Sequence, residues 1–266
     1  VLRDPVTSCS PPAAVGMTLE EIDTPALIID LDALEANIRH LAAFCAEHGI
    51  ALRPHAKTHK SADIAALQIA QGAVGVCCQK VSEAEALVEA GVNDVMITNQ
   101  VVRPTMIERL LILATRARLQ VCVDDAANVD ALAETARRHR HTLDVLVEID
   151  VGAHRCGVEP GAPAVDLARR IVACEYLRFA GLQAYHGPAQ HLRSHEQRQH
   201  AIADATDATR STIKRLAQAG IACSVVAGAG SGTFAFEAAS GVYNELQCGS
   251  YIFMDADYAR IRDHDD

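Results

Sequence analysis

Aromatic residues are scarce in this 266-residue sequence: tryptophan is absent, and phenylalanine and tyrosine together make up 4%. A protein that stacks single-stranded bases needs aromatic side chains, and one that binds a duplex needs a basic patch, whereas this chain has a net charge of -10. The sequence also lacks an apolar run of the roughly 20 residues that a membrane helix requires, and a signal pattern at its amino end. We therefore expect no nucleic-acid partner, no membrane attachment and a cytoplasmic location.

No two cysteines have the Cys-x-x-Cys spacing that is typical of zinc sites. The nine cysteines are an odd number, and Cys77, Cys78, Cys122 and Cys223 lie within apolar, strand-like runs. This pattern predicts reduced core residues of a cytosolic protein. With 50% hydrophobic residues, the chain can bury one large core, or a core plus a small annex.

Lysine is also rare, with only Lys57, Lys60, Lys80 and Lys214 in the chain. Pro54 excludes a helix interior and favours an extended backbone just before it, so Lys57 is predicted at the carboxyl end of a strand. A lysine that is partly desolvated among other cations loses its proton easily, and the neutral amine can form an imine with an aldehyde. The alternative is a solvated lysine in a basic loop, and the spacing alone leaves both interpretations open.

Strands and helices alternate along most of the chain. Asp32 and Glu35 match a capping box that opens the first helix, and Gly49 ends it. The apolar stripe of this helix is Leu34, Ile38, Leu41 and Cys45. Further helices are predicted near 64–69, 84–90, 107–113, 129–138, 165–172 and 196–219. The predicted strands are 26–30, the run that begins at Leu52, 73–78, 94–98, 119–123, 143–149, 179–184, 223–226 and 245–248.

The strands are continuous apolar runs, which is typical of parallel strands that are covered on both faces. Their alternation with helices indicates repeated βαβ units. Eight strands, from the lysine-bearing run to 245–248, would close a (β/α)8 barrel, and the chain length suits that fold. A doubly wound open sheet is the alternative, disfavoured because the first strand–helix junction lacks Gly-x-Gly-x-x-Gly.

In such a barrel, the carboxyl ends of the strands gather the chemistry. They carry Lys57, a glycine loop at 228–233 and the run 248–251, the last two following strands seven and eight. Loops in those positions commonly bind phosphate through backbone N–H groups, although many glycine loops are ordinary turns. A lysine and a phosphate loop at one barrel end favour pyridoxal 5′-phosphate, an aldehyde that carries a phosphate group.

Several longer motifs resemble those of the D-threonine aldolase and 3-hydroxy-D-aspartate aldolase family, fold-type III relatives of alanine racemase and D-serine dehydratase. The matching stretches are 53–61, 76–84, 155–158, 183–187 with Gln190-His191, and 243–251 with 253–255. The resemblance extends over 24–257. The last stretch is most similar to the 3-hydroxyaspartate branch.

The resemblance implies a role for particular residues. Lys57 would hold the cofactor as an imine, with Lys60 the less favoured alternative. Arg155 would lie beside the pyridine ring or its phenolic oxygen, and His191 would be the base that, with a metal-bound water, deprotonates the substrate. The other implied cofactor contacts are Gln79, Tyr185, Ser231, Gly232, Cys248, Gly249 and Ser250. Further from the reaction, supporting roles are implied for His55, His59 and His186.

The implied reaction is retro-aldol cleavage of a β-hydroxy-D-amino acid, such as D-3-hydroxyaspartate or D-threonine, to glycine and an aldehyde such as glyoxylate. A divalent cation, magnesium or manganese, would assist it, and is expected only where the second domain of the relatives is present. Two alternatives remain open: a dehydratase acting on D-serine or hydroxyaspartate, and a barrel that binds pyridoxal phosphate without catalysis. The substrate would be a small amino acid, and the family implies a possible homodimer.

The sequence differs from the family pattern in two respects. Ala229 replaces the middle glycine of the phosphate loop. The relatives also continue into a β-rich domain that holds their metal ligands, so we expect this chain to contain only the barrel, with no metal ligand up to Asp266. The terminal run His264-Asp265-Asp266 could imitate the metal-binding pair of the relatives, but a solvated tail is the favoured interpretation. The expected division is an arm at 1–23, the barrel at 24–257 and a tail at 258–266, with strand 26–30 left as an unpaired edge.

Overall fold

A computed structural model describes residues 13–262, in which eight β-strands alternate with eight α-helices. The strands are β1 (Ala51–Leu52), β2 (Val76–Cys78), β3 (Asp94–Gln100), β4 (Arg118–Val123), β5 (Leu143–Glu148), β6 (Leu177–Ala184), β7 (Val225–Gly228) and β8 (Glu245–Leu246). The helices are α1 (Leu31–Glu47), α2 (Ala62–Ala70), α3 (Val81–Glu89), α4 (Pro104–Ala114), α5 (Ala126–His139), α6 (Ala162–Val172), α7 (His195–Gln218) and α8 (Phe234–Ala239).

All the strand pairings are parallel, and they run in chain order from β2 to β8, which then pairs with β1. The gap between β1 and β2 is closed by a parallel bridge between His55 and Cys77. Two further backbone bonds cross it, from Val74 N to Leu52 O at 2.9 Å and from Cys77 N to Pro54 O at 2.8 Å. The sheet therefore closes on itself, and the predicted (β/α)8 barrel is confirmed.

The strands are buried on both faces, as their continuous apolar sequences predict. One face packs against the helices in a large core that includes Val95, Val121 and Val145. The other faces the barrel axis, where side chains fill the interior and leave no open channel. The interior cluster consists of Cys77, Met96, Cys122, Leu146, Ala180 and Ala227. Eight cysteines within residues 13–262 are free thiols, and Cys223 is only half-buried.

The amino end of the barrel is held by charged side chains from six strands. We call this chain of ion pairs the amino-end network: Glu245, Arg53, Asp94, Arg118, Asp144 and Arg178. Three of its members are buried: Arg53, Asp144 and Glu245. The Nε of Arg53 donates to Glu245 at 2.9 Å and its Nη1 to Asp94 at 2.6 Å. The network ties together strands that are far apart in sequence.

The predicted strand at 26–30 is wrong. This segment has no strand assignment and is exposed, with Leu27 99% and Ile28 58% accessible. The later strands already supply all eight positions of the closed barrel, so none remains for it. The predicted capping box is also wrong, because α1 begins one residue before Asp32. Asp30 caps the helix, and its carboxylate accepts from Ala33 N at 3.0 Å.

Two smaller differences concern helices. In α2, Ile64 is buried but Leu67 and Ile69 are exposed, because the helix turns Ala65 and Gln68 inward instead. The short helix α8 was not predicted, since its six residues are too few for a helical repeat to be evident. The stripe of α1 is buried as predicted, and Gly49 follows the helix with a φ of +63°. Residues 1–12 of the predicted arm and the run 264–266 lie outside the described residues.

Candidate active site

A cavity of about 240 Å³ opens at the carboxyl end of the barrel strands. Segments that follow β1, β2, β5, β6, β7 and β8 form its walls, which is the arrangement expected for a site in this type of barrel. Eight of the predicted site residues line it: Lys57, Gln79, Arg155, Tyr185, His191, Ser231, Gly249 and Ser250. The structure therefore brings together residues that are up to 193 positions apart, the separation of Lys57 from Ser250 (250 minus 57).

Lys57 lies just past β1, in a 3-10 turn that spans Ala56–Thr58. Burial first, and then the positive charge of Arg155, lower the pKa of its amine below the ordinary value. Its Nζ lies 5.9 Å from the centroid of the Tyr185 ring, and Arg155 Cζ lies 5.7 Å from the same centroid. Two cations thus share one aromatic ring, and an amine in this position gives up its proton more readily than a surface lysine.

The alternative lysine, Lys60, faces away from the cavity. Its backbone has a φ of +51°, its side chain is 64% exposed, and its Nζ lies 3.8 Å from Glu83 Oε1. Lys60 does not line the cavity whereas Lys57 does, so this geometry favours Lys57 as the reactive amine.

His55 supports the lysine turn from below. Its Nδ1 accepts from Lys57 N at 3.3 Å, so Nε2 carries the proton and donates to Thr98 Oγ1 at 2.9 Å. The Thr98 hydroxyl in turn donates to Cys78 O at 3.3 Å. Burial first, and then the nearby charge of Lys57, lower the pKa of His55 to about 3. The neutral ring therefore acts as a fixed link between the lysine turn and β3.

The loop between β7 and α8 presents an unsatisfied hydroxyl. Ser231 Oγ is buried and has no hydrogen-bond partner among the described residues. A buried hydroxyl without a partner costs roughly 1–3 kcal/mol, so a ligand that bonded to it would recover that free energy. Ala229 in the same loop has a φ of +70°, a conformation that favours glycine, and its methyl group is buried against the α1 side of the core.

The second predicted phosphate segment lies against the lysine turn. A Cβ on Gly249 would lie 2.9 Å from Thr58 Oγ1 and 3.0 Å from His55 O, so only glycine allows this approach. A 3-10 helix, Ser250–Ile252, begins at this point, and its first N–H groups have no partner within the helix. One cavity thus has an amine with a lowered pKa, which suits an aldehyde. It also has an unpartnered hydroxyl and a helix amino terminus, which suit a phosphate group.

Two predicted contacts do not line the cavity. Gly232 N donates to Gln190 Oε1 at 3.0 Å, which uses the N–H that a phosphate would need. The thiol of Cys248 is buried in the apolar cluster beside α1, and burial raises its pKa well above the ordinary value. Cys248 contributes through its backbone instead, because its carbonyl accepts from His55 N at 3.0 Å.

His191 lies at the rim of the cavity, at the end of the 3-10 turn Pro188–His191. Its Nδ1 is 2.6 Å from Asp257 Oδ2, and Arg193 binds the other carboxylate oxygen and, at 2.7 Å, the Asp257 carbonyl. Arg193 first, and then His191, hold the pKa of Asp257 below its ordinary value, so it stays ionised. The carboxylate keeps the ring proton on Nδ1 and leaves Nε2 for a ligand.

The other two histidines lie outside the cavity. His59 Nδ1 accepts from Ser61 N at 3.0 Å and closes a local turn. The ring of His186 covers Gly152, where a Cβ would lie 2.7 Å from its Nε2. Burial lowers the pKa of both histidines, so each is predominantly neutral at neutral pH.

Thr98, at a predicted strand end, lines the cavity, and the motifs imply no role for four other lining residues: Gln183, Gln247, Asp255 and Tyr258. Gln183 and Gln247 bond to each other at 2.8 Å beneath it. Asp255 accepts from Asp257 N and Tyr258 N, both at 2.9 Å. The sequence feature that indicates this last turn is the motif Asp-x-Asp-Tyr at 255–258, because an aspartate in the first position commonly accepts from backbone N–H groups two and three residues later.

Residues 13–262 contain no group of three or more His, Cys, Asp or Glu side chains arranged to hold a metal ion. Over the same range, every helix is too short or too polar to span a bilayer.

Comparison with known proteins agrees with this architecture. The family described as alanine racemase, N-terminal domain, matches residues 29–257. The chain is 48% identical over 254 residues to the 3-hydroxy-D-aspartate aldolase of Paracoccus denitrificans (strain Pd 1222), covering 95% of this chain and 66% of the relative. It is 47% identical to the D-threonine aldolase of an Arthrobacter species, covering 93% and 65%.

The crystal structure of D-threonine aldolase from Filomicrobium marinum superposes with a TM-score of 0.95 at 52% identity, over 96% of this chain and 69% of that chain. The chain thus spans about two thirds of the length of the curated relatives. The resemblance inferred from the motifs is confirmed, and the chain belongs to the alanine racemase N-terminal domain family.

Proposed function

We propose that this protein binds pyridoxal 5′-phosphate through Lys57 and cleaves the Cα–Cβ bond of a β-hydroxy-D-amino acid. The relatives are named for 3-hydroxy-D-aspartate and D-threonine. Cleavage of the former gives glycine and glyoxylate. The observation that carries the proposal is the cavity itself. Its lining includes a lysine with a lowered pKa and a serine whose hydroxyl has no partner among the described residues.

Different residues would hold the two ends of the cofactor. The Lys57 amine would bind its aldehyde carbon, while the Ser231 hydroxyl and the backbone at Gly249 and Ser250 would hold its phosphate. Gln79, Arg155 and Tyr185 would border the ring. Burial raises the pKa of Tyr185 above its ordinary value, so its hydroxyl stays protonated and can donate a hydrogen bond. When bound, the cofactor supplies an electron sink for the pair released by bond cleavage.

His191 would take the proton from the substrate's β-hydroxyl at Nε2. The bond between its Nδ1 and Asp257 supports this role, because a carboxylate there fixes the tautomer and stabilises the ring once both nitrogens are protonated. Loss of that proton turns the hydroxyl oxygen into the aldehyde oxygen as the Cα–Cβ electron pair stays with the glycine fragment.

A divalent cation, magnesium or manganese, would lower the pKa of the same hydroxyl; we assign none of the described residues as its ligand. We also propose the domain bounds, the class of substrate, the cellular location and the oligomeric state. The barrel domain spans 24–257, between an arm at 1–23 and a tail at 258–266. The substrate is a small amino acid, and the protein is a cytoplasmic homodimer.

The test is a product assay. The protein is incubated with pyridoxal phosphate and D-3-hydroxyaspartate or D-threonine, with and without manganese, and the products are separated. We expect glycine and an aldehyde in equal amounts, and none with Lys57→Ala. Ammonia and a keto acid would indicate a dehydratase instead. Cofactor binding without turnover of either substrate, with or without manganese, would indicate a barrel that only binds.

A further inference from the structure

Gln190 belongs to the 3-10 turn Pro188–His191, and its side chain bonds to the loop that carries Ser231. Its side chain is fully buried and uses both ends of its amide. Oε1 accepts from Gly232 N at 3.0 Å, and Nε2 donates to Thr233 Oγ1 at 2.7 Å and to His186 O at 3.3 Å. One side chain thus bonds to backbone on both sides of the cavity rim.

The loop packs directly onto this side chain. A Cβ on Gly230 would lie 2.5 Å from Gln190 Oε1, and a Cβ on Gly232 would lie 2.6 Å from Gln190 O. Both glycines are therefore needed for the contact. On the far side, Thr233 Oγ1 donates to Glu237 Oε1 at 2.8 Å, which anchors the arrangement to α8.

We propose that Gln190 is a positioning residue that couples the phosphate-binding loop to His191, an inference that rests on the proposed function. By accepting from the N–H of Gly232, Gln190 fixes the backbone next to Ser231, so Ser231 keeps its place in the wall of the cavity. The same amide bonds to His186 O just before the turn, and thereby holds the turn that ends at His191. The phosphate end of the cofactor and the proposed base are therefore kept in one spatial relation.

The test uses Gln190→Met, which keeps the length of the side chain and removes its hydrogen bonds. Affinities for pyridoxal phosphate and for pyridoxal, which lacks the phosphate, are measured by absorbance titration. We expect the affinity for pyridoxal phosphate to fall roughly tenfold, with that for pyridoxal changed less than about twofold. At saturating cofactor, kcat falls roughly tenfold or more because the base is misplaced. Gln120→Met, at a buried glutamine in β4, is the matched control and should leave the affinity ratio unchanged.

If Gln190→Met leaves the ratio of the affinities for pyridoxal phosphate and pyridoxal unchanged, whether or not both affinities fall, the coupling is contradicted. If Gln190→Met does not fold, Thr233→Val answers the question. It removes the Nε2 contact and the bond from Thr233 to Glu237, but keeps the bond from Gly232 N to Gln190 Oε1. A decrease of about threefold in the ratio is then expected. A wild-type protein that binds both aldehydes equally would sink the proposed function, and the coupling with it. If the wild type binds pyridoxal phosphate more tightly than pyridoxal and Gln190→Met keeps the same preference, the coupling is contradicted but the proposed function is not.

Discussion

The two ends of the barrel treat charged side chains in opposite ways. At the amino end, Arg53 is 2% exposed and bonds to carboxylates on both sides. At the carboxyl end, Lys57 and Arg155 face a cavity, and neither has a carboxylate within salt-bridge distance among residues 13–262. Paired charges hold strands together, whereas unpaired cations beside an unpartnered hydroxyl offer contacts to an anionic ligand. The amino end is therefore built for stability, and the carboxyl end for binding.

The largest effect is expected at the amino end. Arg53→Met would leave Glu245 and Asp94 without their buried partner, and removing one member of a buried ion pair costs about 3–5 kcal/mol. Urea unfolding measures the loss of stability. The control is Arg39→Met, which breaks an exposed pair with Glu35 and should change the free energy of unfolding by less than about 0.5 kcal/mol. Equal effects for the two variants would remove the distinction between this network and surface pairs.

A buried acid at the carboxyl end sharpens the contrast. Unlike Glu245, Glu237 has no cationic partner within residues 13–262, and over the same range its Oε2 lacks any hydrogen bond. Burial raises its pKa from 4.5 to about 7. Because the folded state binds this proton more tightly, the stability that it contributes is present below about pH 4.5 and is lost as the pH rises through about 7.

Glu237→Gln should remove that loss, since glutamine keeps the acceptor for Thr233 and carries no charge. Relative to the wild type, the variant should gain on the order of 3 kcal/mol between about pH 4.5 and 8. Urea unfolding at several pH values checks this. If the free energy of unfolding of Glu237→Gln depends on pH in the same way as that of the wild type, Glu237 is not the cause of the loss of stability.

The third prediction concerns the rim of the cavity. Asp257→Asn removes the charge that holds the proton on His191 Nδ1, and kcat should fall roughly 10²-fold with little change in cofactor affinity. Steady-state kinetics across pH, with a cofactor titration, measure both. Asp207→Asn, which breaks an exposed pair with Arg210, is the control. If cofactor affinity falls by the same factor as kcat, Asp257 maintains the structure of the cavity rim and has no specific role in positioning His191.

The smallest effect is expected at Ser231. Because its hydroxyl has no partner among the described residues, Ser231→Ala should leave the unfolding free energy of the ligand-free protein unchanged or slightly raised. Affinity for pyridoxal phosphate should fall roughly tenfold, and that for pyridoxal should not change. An unchanged pyridoxal phosphate affinity would mean that the hydroxyl does not meet the phosphate.

The same contrast explains what the sequence could predict. Apolar runs and glycine positions are local signals, so the barrel and the placement of Lys57 after β1 could be inferred. The pair Arg53–Glu245 joins residues 192 positions apart, and His191–Asp257 joins residues 66 apart, and no local pattern encodes either. The segment 26–30 failed for the opposite reason, since it has the apolar composition of a strand but no sheet position to occupy. The resemblance implies that Gly232 contacts the cofactor, whereas the bond from its N–H to Gln190 depends on tertiary packing that the motif does not encode.

The most direct measurement is chemical labelling of the four lysines. The protein is mixed with pyridoxal phosphate, reduced with borohydride so that any imine becomes a stable amine, digested, and mapped by mass spectrometry. The geometry predicts one label per chain, on Lys57, with Lys60, Lys80 and Lys214 unmodified. A label mainly on another lysine, or none on Lys57, would contradict the assignment of the carboxyl end of the barrel as the cofactor site.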